Sequence, residues 1–153
     1  APGGAWIVAK MLIGLAFAAL AYMPLPIAAI AIGQLTVSTP ELAAMSVVYL
    51  LGALPFCALG MLIGTLASAG AAPAYTNLIY LPMLWLSGMF FPLPPFLHGQ
   101  TLVWPAFHLN QVALDAGNVE KFIYVPPQLS LGALAGLTVL CGSIALWRLA
   151  RRG

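Results

Sequence analysis

Four stretches of the chain are almost continuously apolar, and short clusters of proline, glycine and polar residues separate them. They run from about 6 to 33, 40 to 68, 73 to 91 and 127 to 147. No charged residue occurs across 11–40, 42–114 or 122–147. A helix on the surface of a water-soluble domain keeps one polar face. These stretches lack one, so they are predicted to be helices that face lipid. About 20 residues at ~1.5 Å rise cross a hydrocarbon core of ~30 Å. The pattern therefore predicts an all-α, polytopic membrane helix bundle, one membrane domain over 1–153 with about four transmembrane helices.

The punctuation within each stretch sharpens the picture. The first is longer than the bilayer core requires, and Pro24 and Pro26 supply a bend. The polar run 34–39 ends it, and Ser38 or Thr39 followed by Pro40 and Glu41 reads as the start of the next helix. Pro55 interrupts that second helix, while Gly60, Gly64 and Ser68 recur on one face at the small-xxx-small spacing of close helix contacts. Gly132 and Gly136 repeat the spacing in the fourth helix. Pro73 suits the first turn of the third helix, and Pro82 predicts a kink in it. Between about 92 and 121 the texture changes: Pro92, Pro94, Pro95, His98, Trp104, Pro105 and His108 crowd together. Tryptophan and proline beside polar residues predict a re-entrant or interfacial helical segment at the headgroup level.

Composition agrees with this solvent argument and excludes some partners. Charged residues are 5% of the chain, against roughly 25% in a soluble domain. A net charge of +2 is too small to build a nucleic-acid surface. With four spans, Lys10, Arg148, Arg151 and Arg152 share one side, and Lys121 faces Glu41, Asp115 and Glu120 on the other. The positive-inside rule then puts both termini in the cytoplasm and the 92–121 segment outside. The first apolar run is too long for a signal-peptide core, and the opening Ala-Pro-Gly-Gly suggests an excerpt from a longer chain. Cys57 and Cys141 fall inside apolar stretches, where a thiol behaves as a small hydrophobe.

Candidate chemistry is sparse. His98 and His108 are the acid/base or metal candidates, yet no ligand pattern accompanies them, and interfacial polarity explains them as well. Ser87 lacks a GxSxG frame, although pairing with His108 across helices would make a dyad. A phosphate loop of the GxxxxGK[ST] type is absent, so nucleotide hydrolysis falls to another chain. No acid or base sits at a span centre, as a proton-coupled carrier usually requires. Asn77, Thr65, Ser87 and Thr138 are polar residues within spans. Each suits interhelical hydrogen bonding, and Asn77 and Ser87 also suit the wall of a substrate path.

The run Gly64-Thr65-Leu66-Ala67-Ser68, and above all Leu81-Pro82-Met83-Leu84-Trp85-Leu86-Ser87-Gly88-Met89-Phe90-Phe91-Pro92-Leu93, resembles the C-terminal half of type-2 ATP-binding-cassette exporter permeases. Trp104-Pro105-Ala106-Phe107-His108 resembles the aromatic-Pro element that follows the outer segment in that family. The resemblance spans nearly the whole chain and implies helices three to six of six, with the first two lying upstream. It implies a bacterial inner-membrane permease, not itself an enzyme, that moves a drug, lipid or polysaccharide outward by alternating access. It also implies a second permease copy, surrounding lipid, and a cytoplasmic ATPase partner that binds ATP and Mg. Gly88, Phe91 and Pro92 then join Asn77 and Ser87 as candidate pathway residues. The alternatives are a small secondary carrier or channel, and a membrane enzyme or metal protein built on His98 and His108.

Overall fold

The computed structural model describes residues 2–88, 91 and 94–152. It is all-helical, with helix over 81% of the chain and no strand among the described residues. The first apolar stretch forms α1 (Pro2–Tyr22) and α2 (Pro24–Ala31), and the second forms α3 (Thr39–Leu51) and α4 (Ala53–Leu66). Both interruptions follow from proline. Pro24 has no N–H for the Leu20 carbonyl and Pro55 none for that of Leu51, so the course loosens at Met23 and Gly52. Each pair still continues as one apolar rod. The spans Gly4–Ala31, Thr39–Leu66 and Pro127–Arg151 are three helices long and apolar enough to cross a membrane.

α5 (Ala72–Leu86) is shorter than the apolar run predicts. Its 15 residues rise only about 22 Å, less than a ~30 Å hydrocarbon core. The helix stops before Phe91 because Ser87 is its C-cap and Gly88 takes the left-handed φ of +74°, which turns the chain out of the helix. Pro82 lies inside α5 without breaking it. A single 3-10 turn (Pro95–Leu97), α6 (His98–Thr101), α7 (Pro105–Ala116) and another 3-10 turn (Glu120–Phe122) follow. α8 (Pro127–Arg152) continues past Trp147, carried by arginines with good helix propensity.

α4 and α8 share the largest helix contact, and α1 packs on α3 and α4. Ala58 and Ala145 are fully enclosed, with Ile63, Leu134 and Cys141 also buried. Leu134, Cys141 and Ala145 lie on one face of α8, and Arg148 extends that face to donate from Nη2 to the Thr65 carbonyl at 3.3 Å. This bond answers an orphan carbonyl near the end of α4 and sets the C-terminal ends of α4 and α8 at the same end of the bundle. Arg151 stacks on Trp147 at 4.0 Å, so the cationic end of α8 has an aromatic flank. At the α1 contact, Cys57 Sγ lies against Gly14, and Tyr22 reaches Ser46 Oγ at 3.2 Å.

The small-residue repeats do not make these contacts. A Cβ on Gly60, Gly64, Gly132 or Gly136 would meet nothing within 4 Å, and Ser68 is exposed. Among the described residues close approach occurs at Gly14, Gly52 and Gly117 instead, because there a neighbouring side chain fills the space of the missing Cβ.

α7 lies antiparallel against α3. Leu109 fills the space over Gly52, Met45 covers Gly117, and Asn118 Nδ2 donates to Glu41 Oε1 at 2.9 Å. Glu41 Oε2 also accepts the Ser38 N–H at 2.7 Å, the backbone half of a capping box at the start of α3. Asn118 has φ +51°, and Val119 N–H donates to Leu114 O while Asn118 N–H donates to Asp115 O. That is a Schellman end with asparagine in the left-handed position. Asn118→Ala is expected to cost about 1–2 kcal/mol from the left-handed backbone. Asn118→Gly, which loses only an exposed hydrogen bond, is expected to stay near wild type, as read from thermal midpoints in detergent.

Candidate functional site

Three side-chain clamps hold the 94–125 segment on the bundle. At the end of α5, Gln100 Nε2 donates to the orphan Leu86 carbonyl at 3.1 Å while its Oε1 accepts from Trp104 Nε1 at 2.7 Å. On α7, buried His108 places Nε2 2.8 Å from the Leu102 carbonyl and Nδ1 3.0 Å from Ser130 Oγ on α8. A carbonyl only accepts, so Nε2 carries a proton, and in the neutral tautomer Nδ1 accepts a hydrogen bond from the Ser130 hydroxyl. Gln111, 1% exposed, accepts at Oε1 from the N–H groups of Tyr124 (2.6 Å) and Val125 (3.3 Å) and donates from Nε2 to the Phe122 carbonyl (3.2 Å). This ties the 122–125 connection to α7.

Between these clamps lies a cavity of about 840 Å³. Its wall includes one face of α7: Phe107, Asn110, Gln111 and Leu114 recur at the i, i+3, i+4, i+7 spacing. The end of α5 contributes Ser87, Gly88 and Phe91, and the far side contributes His98, Phe122 and Tyr124. The His98 and Tyr124 rings stand 5.6 Å apart. No lysine, arginine, aspartate or glutamate lines the cavity among the described residues.

The predicted residues therefore separate. Ser87, Gly88 and Phe91 reach the cavity, with Ser87 buried and its Oγ 3.4 Å from the Leu84 carbonyl. Asn77 does not; it is exposed on α5. Pro92 lies outside the described residues. Thr65 and Thr138 turn back to the Leu62 and Leu134 carbonyls of their own helices, at 2.8 Å in both cases, and so do not bridge helices. Gly60 opens onto a second, apolar cavity of about 370 Å³ between α4 and α5, flanked by Phe56, Tyr80 and Met83.

His108 bonds Ser130, not Ser87, and Ser130 is 0% exposed. A nucleophile needs access to its substrate, which this serine lacks, and the other ring nitrogen faces a carbonyl where a triad would place an acid. A serine-directed phosphonate probe is expected to leave Ser130 unlabelled in the folded protein, whereas labelling would contradict the structural role. Ser130→Ala is expected to cost about 1 kcal/mol through an unpaired buried ring nitrogen. Among the described residues no three His, Cys, Asp or Glu side chains gather, and Cys57 and Cys141 are free thiols.

Comparison with protein-family models, curated proteins and solved structures returns no match. The site residues that sequence reasoning missed are Asn110, Gln111, Tyr124 and Ser130. The i, i+3, i+4, i+7 spacing was available for the first two, but the proline-rich segment concealed a regular helix. Ser130 carries no sequence signal, because its partner is 22 residues away.

Proposed function

We propose that this chain is the membrane-spanning permease part of an ATP-driven exporter of the type-2 ATP-binding-cassette kind. The observation that carries the reading is the uncharged cavity of about 840 Å³, walled by α5 and α7 in an apolar bundle with three helices able to cross a membrane. Its volume falls in the range of pockets that enclose a drug-sized molecule. On this reading α5 is a fourth span, shortened because the Gln100 clamp lets the chain turn back while still within the outer leaflet. Leu109 beside Gly52, near the middle of the second span, supports a re-entrant 94–121 segment, since α7 then climbs from mid-depth toward Glu41.

The cationic end bearing Arg148 and Arg151 is cytoplasmic in this proposal, in a bacterial inner membrane. A partner ATPase binds and hydrolyses ATP with Mg there. A second permease copy completes the pathway, and the exposed faces carrying Gly64, Gly132 and Gly136 are available for contacts between chains. Closure of the ATPase pair shifts the helices so that the cavity opens outward. The test is export by cells producing the full-length protein. It is expected to continue when ion gradients are collapsed and to stop when ATP is depleted. The opposite pattern would identify a secondary carrier.

A further inference from the structure

We propose that the cavity between α5 and α7 takes a neutral amphiphile, with a hydroxyl- or amide-bearing head on Asn110 and an apolar ring body against the aromatic wall. This rests on the transport reading of the same cavity. Polar groups around the cavity are mostly committed to the protein. Gln111 is spent on the 122–125 backbone, Ser87 Oγ lies on the Leu84 carbonyl, and Thr101 Oγ1 donates to the His98 carbonyl at 2.7 Å. Asn110 differs: among the described residues nothing hydrogen-bonds its side-chain amide, which faces the cavity. Asn110 is half-buried, and an amide partly withdrawn from water gains when a partner meets it. It offers two donors and an acceptor together, which suits a hydroxyl or amide better than a group that only donates or only accepts.

Charge argues for neutrality. An anion would find no lysine or arginine among the described residues of the wall, and a cation no carboxylate, so either would lose hydration with little compensation. Lys121 Nζ stands 5.7 Å from the Phe122 ring but does not line the cavity. Phe107, Phe122 and Tyr124 then serve as flat apolar surfaces for a ring.

The experiment uses the full-length protein in lipid nanodiscs and three probes with one fluorescent body: 2-naphthyl β-glucoside, 2-naphthyl phosphate and 2-naphthylmethylammonium, each corrected against empty nanodiscs. The glucoside is expected to bind saturably and at least about tenfold more tightly than either charged probe. Asn110→Leu is expected to weaken it roughly tenfold, the loss of one or two hydrogen bonds. Asn110→Asp is expected to move preference toward the ammonium probe, which keeps the assignment testable if the leucine variant folds poorly. Preference for a charged probe, equal binding of all three, no saturable binding, or indifference of the glucoside to both substitutions would overturn it. Failure of the transport reading would show differently, as glucoside selectivity retained by a protein whose export ignores ATP.

Discussion

Replacing Gln111 with leucine is expected to lower the thermal midpoint of the detergent-purified protein by roughly 10 °C, the largest effect of any single side chain in the 94–125 segment. Leucine is close in volume, so packing is nearly preserved and the loss is polar. The Tyr124 and Val125 N–H groups and the Phe122 carbonyl all lose their partner at once. Each buried group left unpaired costs about 1–3 kcal/mol, and water entering the cavity recovers part of it, leaving about 3–5 kcal/mol. Gln111→Glu separates the contributions. Its carboxylate still accepts from the two N–H groups but meets the Phe122 carbonyl with no donor, so an intermediate loss is expected. Equal midpoints for wild type and Gln111→Leu would show that the 122–125 connection is not held by this residue.

The second large effect is expected at Gly52. Its φ of −61° and ψ of −15° are open to any residue, so backbone strain is not the issue. Space is. A Cβ there would run into the Leu109 side chain and stand 2.9 Å from the Val48 carbonyl. Gly52→Ala is therefore expected to destabilise by about 1–3 kcal/mol, as overpacking does, and Gly52→Val by more. Leu109→Ala should relieve part of that cost, so the double variant is expected to be less destabilised than the sum of the two single changes. Strict additivity in thermal midpoints would mean that α7 does not press on Gly52.

These two residues also show where the sequence was readable and where it was not. The apolar rods were legible because lipid exposure imposes apolar side chains on all faces, a signal that needs no partner. The start of α3 was legible because Ser38 and Glu41 make their contact locally, three residues apart. The helix contacts were not. Small-xxx-small spacing at Gly60, Gly64, Gly132 and Gly136 says that close approach is permitted, not which surface approaches, and among the described residues none does. The lone Gly52 had no period to mark it, since its partner Leu109 belongs to a helix hidden among prolines. The end of α5 was misjudged for a related reason. The apolar run continues to Phe91, and hydropathy outweighed the Ser87-Gly88 stop that the backbone obeys.

Of the candidate site, Ser87 stands out as a polar residue within a span, and Gly88 and Phe91 through the family resemblance; all three line the cavity. Asn77 was chosen as a polar residue within an apolar run, and it lies on an exposed face of α5. Asn110 and Gln111 have no distinguishing local signal, being two more polar residues in a polar segment. Their roles depend on α7 being folded against α3 and α8, and on which amide the 122–125 backbone consumes.

The central claim, a permease driven by a separate ATPase, is tested most directly by the hydrolysis rate of the partner ATPase reconstituted in lipid with and without the full-length protein. The account predicts a several-fold higher rate when both are present. Identical rates with and without the permease would contradict it.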